Sequence, residues 1–438
     1  MTKMVGIGLL GLGTVGTGIA KIINSPEGRH PLVSKIHLAR VAVRDINRIR
    51  SVKINSSILT DDPYEVVKDP DVQVVVEAMG GIEPAKSLIL LAIESGKSVV
   101  TANKAVIARH GREISQAANA AGVYVLIEAA VGGGIPIIEP LKQSLGANRI
   151  QKVTGIINGT TNFILSQMTK EGANYKDVLK EAQDLGYAEA DPSADVDGHD
   201  AADKIAILSG LAFGGSINRE NIPTQGISNL ESVDINYARQ LGFEVKLLAI
   251  AQQLSILEKP NNSVSLAISV EPTLVPREHP LSVVNGVNNA ILIEGEPIGD
   301  VMFYGPGAGA GPTASAVVAD ILNIAGIELM KNKDSSLDPL LSAFSWRDCS
   351  LADARKIPQK NYVRLITKDT PGVIGSIGNI FGHHNVSIQS IVQFDSTNEK
   401  AEIIVITHKV TRGQITDALA EINNLSEVLE IAKHLSCL

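Results

Sequence analysis

The first 130 residues constrain the fold most. Short β-branched runs, "VGIGLLG", "IHLARVAV", "VQVVVEAM", "SVVTA" and "VYVLIEAAV", alternate with helical stretches that follow Gly13, Glu83 and Lys104. Strands separated by helix-length segments read as parallel strands joined by crossover helices, because a parallel connection must travel back along the outside of its sheet. The first run leads straight into "GLGTVG", Gly11 to Gly16, at the opening of a helix. That strand, turn and helix context is what the GxGxxG pattern requires. Gly11 and Gly13 permit the tight turn and the approach of a pyrophosphate to backbone amides, Thr14 and Val15 begin the helix, and Gly16 lets helix and strand pack. A doubly wound α/β nucleotide-binding domain over residues 1–130 follows.

Charge at the end of the second strand bears on which nucleotide. Where an NAD site usually sets an acid for the ribose hydroxyls, "VAVRD" puts Arg44 first. An arginine there can meet a 2′-phosphate, which favours NADP, while Asp45 keeps NAD possible and a plain surface charge is the bland alternative. "TANK", Thr101 to Lys104, ends a strand at the sheet edge where open α/β folds bind ligands. Lys104 gains little from starting a helix, since its charge opposes the dipole, so a functional role is favoured. "EAAVGGGIP" from Glu128 sets one acid and three glycines beyond the last of these strands. Free carbonyls with one carboxylate suit a hard monovalent cation, and a domain hinge is the competing reading.

Beyond Gly132 the texture changes. "QKVTGIINGTTNFIL", "NSVSLAISVEPTLV" and "NAILIEG" are separated strands mixed with helices near 175–185 and 200–213, which reads as an α+β substrate and dimerisation domain over 131–350. "YGPGAGAGPTASAVVADILNIAG" places a glycine-rich loop before an apolar helix at about 305–330 that is expected to return to the first domain. After a polar connection, residues 356–438 spell βαββαβ, a small self-contained unit. A chain of 438 residues with 44% hydrophobic and 20% charged residues suits such a multidomain protein. Net charge is −8 with scattered Lys and Arg, so no basic face for nucleic acid or membrane is read. The two cysteines, Cys349 and Cys437, lie far apart, which disfavours disulfides and zinc and, with no signal peptide or long apolar run, points to the cytoplasm.

The stretch "AEADPSADVDGHDAADKIAILSGLAF" crowds six carboxylates between Glu189 and Asp203 against an apolar helix. An acidic loop capping a helix is the bland reading. At helical spacing, however, Asp200, Lys204, Ile207 and Leu211 share one stripe, with Ala201, Ile205, Leu208 and Ala212 on its flank. A charged pair facing a core belongs to a pocket, or it is costly.

This stretch resembles the signature segment of homoserine dehydrogenases. "TANK", "EAAVGGGIP", "NGTTNFIL" and "YGPGAGAGPTASAVVAD" resemble that family's other segments in the same order, over about residues 5–350. "DTPGVIGSIGNIFGHHNVSIQSI" resembles an ACT domain, an amino-acid-sensing module. The resemblance implies a Rossmann-type domain, a catalytic domain, a ferredoxin-like ACT unit, and reversible NAD(P)H-dependent reduction of L-aspartate 4-semialdehyde to L-homoserine in threonine, methionine and isoleucine biosynthesis. It implies Lys204 as first and Lys104 as second choice of proton carrier, with Asp200 as an active-site acid. Glu189, Asp195 and Asp200 would hold the substrate's ammonium. Gly186 and Gly305 would join Gly11, Gly13, Thr14, Val15, Gly16, Arg44, Thr101 and Lys104 around the cofactor. Glu128 with the carbonyls of Val131, Gly133 and Ile135 would hold sodium. A homodimer or homotetramer, feedback-regulated by L-threonine at the ACT unit, is also implied. An aldehyde dehydrogenase making an acyl phosphate would need a cysteine nucleophile, and both cysteines fall outside the catalytic segments. A non-catalytic nucleotide- and amino-acid-binding regulator would have no need of Asp200 and Lys204.

Overall fold

Every residue of the first strand, Val5–Leu10 (β1), is buried, as a strand covered by helices on both faces should be. It pairs in parallel with Ile36–Ala42 (β2), which in turn pairs with Leu59–Thr60 (β3). On its other side lie Val74–Glu77 (β4), Ser98–Thr101 (β5) and Val125–Leu126 (β6), giving the parallel order β3-β2-β1-β4-β5-β6. The chain direction of the winding reverses between β1 and β4, the switch point at which such sheets open a ligand crevice. The computed structural model describes residues 4–215, 217–254, 265–330, 351–395 and 400–437. It forms two compact units, Met1–Trp346 and Arg347–Leu438.

Two local features of this sheet differ from the sequence reading. The short β3 and the helix Pro63–Lys68 lie between β2 and β4, where no element was expected. The run "VYVLIEAAV" yields only two strand residues before a 3₁₀ turn at Glu128–Ala130. The Glu128 carboxylate accepts the amides of Ile137, Ile138 and Glu139 at 2.5, 2.9 and 2.7 Å, which folds the chain back on itself. That demand comes from residues nine or more positions away, so local β propensity does not register it.

The rest of the first unit is built on an antiparallel sheet of Arg149–Ile156 (β7), Phe243–Gln253 (β8), Leu266–Pro276 (β9), Asn288–Glu296 (β10) and Gly299–Pro306 (β11), ordered β11-β10-β7-β8-β9. Helices Gly159–Glu171 and His199–Phe213 pack on it. The helix Ala310–Met330 leaves β11 and packs on Thr14–Ile23, so the glycine-rich loop does lead back to the parallel sheet. Contact there is close: a Cβ on Gly18 would stand 2.7 Å from both the Ala310 carbonyl and the Ala314 methyl. Ala310–Met330 is the one helix among the described residues long and apolar enough to cross a membrane, but Ala314, Val317, Ile321 and Ile324 lie in the core under the parallel sheet.

The second unit runs Pro358–Lys368 (β12), helix Val373–His383, Ile388–Asp395 (β13), Lys400–Thr407 (β14), Val410–Thr411 (β15), helix Arg412–Ile422 and Val428–Cys437 (β16). β12 lies between β14 and β16, and β13 is outermost beside β14. This is the expected βαββαβ order with one two-residue strand added. Phe381, Ile377, Leu365 and Val405 fill its core, each contributing roughly 1.5–3 kcal/mol through burial. Cys349 and the polar connection over 331–350 lie outside the described residues.

Candidate active site

The glycine fingerprint forms the floor of a cavity of about 780 Å³. Gly11 has φ +100°, and a Cβ there would meet the Ala78 carbonyl at 2.8 Å. A Cβ on Gly16 would stand 2.1 Å from the Gly11 carbonyl, so this glycine lets the helix close on the turn that follows β1. Gly13 faces open space, and the helix it begins has no side-chain cap. Its first amides therefore point, unspent, into the cavity, with the positive end of the helix dipole behind them. Gly11, Gly13, Thr14 and Arg44 line this cavity, together with Lys21, Arg48 and Arg50, three cations not singled out from the sequence. Val15, Gly16, Thr101, Lys104, Gly186 and Gly305 do not line it. Thr101 is committed to the fold: its hydroxyl donates to the buried Glu77 carboxylate at 2.7 Å and accepts the Asn103 amide at 3.0 Å.

The acidic stretch resolves into separate jobs. Asp203 pairs with Arg219 at 3.0 Å and Arg109 at 3.8 Å, tying the helices Lys104–Ala121 and His199–Phe213 together. Asp191 caps the Ser193 amide at 3.1 Å, and Asp197 accepts the Ser228 hydroxyl at 3.2 Å. Asp200 is buried, and both of its oxygens meet lysines: Oδ1 takes the Lys104 ammonium and Oδ2 the Lys204 ammonium at 2.7 Å. Lys204 also donates to the Ile157 carbonyl at 2.6 Å. Asp195 is half-buried beside this pair, while Glu189 is exposed.

Asn158 completes the cluster, and the sequence reading missed its role. Its Oδ1 accepts the Thr161 amide at 2.9 Å, capping the helix Gly159–Glu171. Its Nδ2 donates to Asp195 Oδ1 at 2.7 Å and Asp200 Oδ2 at 2.9 Å. One amide thus holds two like charges together, which repel unless something neutral or positive sits between them. An asparagine before "GTT" reads locally as a helix cap; its second duty involves residues 37 and 42 positions on.

Burial pushes the Lys204 ammonium down to about 8, against the opposing pull of Asp195 and Asp203. Lys104 also falls to about 8, first through burial and then through the Lys204 charge. The two differ in access: the Lys104 side chain is 40% exposed and that of Lys204 10%. Either amine can exchange a proton near neutral pH, which an ordinary lysine cannot.

At the 128–135 bend, Val131, Gly133 and Ile135 are buried, and Gly132 and Gly133 have φ of +77° and +57°. Carboxylate oxygens of Glu128, Glu139 and Asp320 lie within 4.8 Å of one another. Burial pushes the Asp320 carboxyl up to about 8, and its Oδ1 has no hydrogen-bond partner among the described residues. Glu128 Oε2 accepts a single amide, so it keeps a lone pair. Hard oxygen donors around the Glu128 carboxylate fit a cation of the sodium type, which would also favour the charged form of Asp320.

A dinucleotide cradle at the switch point of a parallel sheet, in a chain that also buries a lysine–aspartate–lysine cluster, fits a nicotinamide-dependent oxidoreductase. Family models for the homoserine dehydrogenase NAD-binding domain, the homoserine dehydrogenase catalytic domain and the ACT domain match residues 11–128, 136–322 and 361–427. The chain belongs to the homoserine dehydrogenase family. It is 55% identical to a homoserine dehydrogenase of Synechocystis over 97% of both chains. A crystal structure of a Thiobacillus denitrificans homoserine dehydrogenase is similar at a TM-score of 0.66 and 39% identity, covering 100% of this chain and 99% of that one. A hyperthermophilic archaeal homoserine dehydrogenase solved with NADPH is similar at 0.61 and 28% identity, covering 74% of this chain and 98% of that one.

Proposed function

We propose that this chain catalyses the reversible reduction of L-aspartate 4-semialdehyde to L-homoserine, with NADPH the favoured cofactor. The observation that carries the reading is the pair of lysines on the two oxygens of one buried aspartate, beside carboxylates left over for an ammonium group. A nicotinamide cofactor bound in the cradle lined by Gly11, Gly13, Thr14 and Arg44 would supply the hydride for the aldehyde carbon. The carbonyl oxygen then needs a proton, and Lys204, with two N–H bonds fixed by Ile157 and Asp200, has its third free to give one. Lys104, the more exposed amine, is the route by which that proton is replaced. Asp200 Oδ2 already accepts Lys204 and Asn158, and Oδ1 faces the Lys104 ammonium, so the substrate's α-ammonium, which these cations would repel, falls to Glu189 and the free oxygen of Asp195. Oxidation of NADPH on addition of the semialdehyde, with homoserine as product, is the direct test.

Two features favour NADPH. Arg44 lines the cofactor cavity, and the Asp45 carboxylate, which could have bound a ribose hydroxyl, is turned back to accept the Asn47 amide at 2.9 Å. Arg44→Ala is expected to weaken NADPH binding by about 1.5–3 kcal/mol, the range for a hydrogen bond to a charged group, and to leave NADH nearly unchanged. Cofactor titrations with both nucleotides decide it; equal losses would mean that Arg44 does not read the phosphate.

Sodium held by Glu128 and the carbonyls of Val131, Gly133 and Ile135 would offset the negative charge at the bend and order it. In the C-terminal unit, the helix Val373–His383 starts after "KDTPG" at Gly372 with no side-chain cap, and its free amides can receive the carboxylate of an amino acid such as L-threonine. Asn385, at φ +54°, lies beyond the opposite end of that helix, just ahead of β13, and would have to add its contact from a paired unit. Two such units paired across a homodimer or homotetramer would share the effector. The free thiol of Cys437 agrees with a cytoplasmic setting.

A further inference from the structure

The turn after β2 carries three arginines to the cofactor cavity, and one of them is used differently from the others. Arg44 and Arg48 line the cavity, are exposed, and hold no fixed partner among the described residues. Arg50 instead turns its guanidinium onto the backbone of its own loop. It donates to the carbonyls of Asp45, Ile46 (3.4 Å) and Arg48 (2.8 Å). Asp45 closes the same turn from the other side through the Asn47 amide. A planar guanidinium with five N–H groups can serve three carbonyls at once; a lysine ammonium is a point donor on a flexible stem and cannot hold that set.

We propose that Arg50 is a positioning residue for cofactor choice, holding the 45–48 turn so that Arg44 and Arg48 converge on the 2′-phosphate of NADP, and that Arg48 is the second contact to that phosphate. The inference rests on the reading of Arg44 given above. Its physical basis is preorganisation: two long exposed side chains on a loose loop would have to be ordered at the expense of binding, whereas a pinned backbone has met that cost in folding.

The test uses the intact chain and binding titrations of NADPH and NADH to Arg50→Lys, Arg48→Ala and Arg44→Ala. Arg50→Lys keeps the charge, so a purely electrostatic role leaves NADPH affinity unchanged, whereas loss of the pin weakens NADPH by about tenfold and leaves NADH within about twofold. Arg48→Ala is expected to give a similar NADPH-specific loss. The turn is exposed, so melting temperatures should match the parent's. NADPH affinity retained in Arg50→Lys but lost in Arg44→Ala overturns the pin and keeps Arg44 as the phosphate reader. Affinity retained in both variants overturns both readings. Equal weakening of both cofactors in Arg50→Lys overturns the specificity role in favour of general support of the cavity, and unchanged NADPH binding by Arg48→Ala removes the second contact.

Discussion

Lys204→Ala is expected to lower kcat by roughly 10²-fold or more, the scale on which general acid–base catalysis acts, while NADPH binding stays near the parent's. The substitution removes the amine that Asp200 Oδ2 and the Ile157 carbonyl fix together, yet Lys104 still neutralises Asp200, so no naked buried charge is left behind. The loss should therefore appear in turnover and not in the fold. Steady-state kinetics in both directions, with NADPH titrations on the same samples, make the comparison. Near-parental turnover in Lys204→Ala, with Lys104→Ala dead, would move the proton donor to Lys104.

A pH dependence follows with a definite sign. Both lysines are lowered to about 8 by burial, and the reductive direction needs the donor protonated. Reduction of the semialdehyde should fall as pH rises through about 8, and homoserine oxidation, which needs a neutral amine as base, should rise through the same range. Because the two amines share Asp200, the apparent value belongs to the pair.

L-Threonine is expected to inhibit the full chain and to leave a chain ended after about Asp348 uninhibited. The C-terminal residues Arg347–Leu438 form a compact unit with their own core of Phe381, Ile377 and Val405, so removing them leaves the catalytic unit's own packing in place. An effector acts only through different affinities for two states of the protein, so losing its binding unit loses the effect altogether. Homoserine oxidation against threonine concentration for both chains is the measurement. Inhibition persisting unchanged in the shortened chain would point to competition at the acidic cluster.

Legibility in the sequence tracked how local each interaction is. The parallel sheet was readable because β1, β4 and β5 carry short β-branched or apolar runs with no alternation, the pattern of strands buried on both faces. The helix stripe of Asp200, Lys204, Ile207 and Leu211 was readable from spacing alone, and all but the partly buried Leu211 are buried. Asn158 was not, since a cap residue and a carboxylate bridge look identical until residues 37 and 42 positions later return to it. Glu128 was read as a possible ligand, but its hold on three amides across the bend needed coordinates. The Arg50 tie hides for the opposite reason: a basic run in a loop reads as solvated charge, and nothing in its spacing says which arginine faces the backbone.

The lysine–aspartate–lysine cluster, in one chain with the dinucleotide cradle, serves homoserine dehydrogenase chemistry. Mixing the purified chain with L-aspartate 4-semialdehyde and NADPH, and following nucleotide oxidation and homoserine together, tests it most directly. One homoserine should form for each NADPH consumed, independent of added phosphate. NADPH left unoxidised, or, in a parallel mixture with NADP+ and phosphate in place of NADPH, NADP+ reduced at the semialdehyde's expense only when phosphate is present, would contradict it.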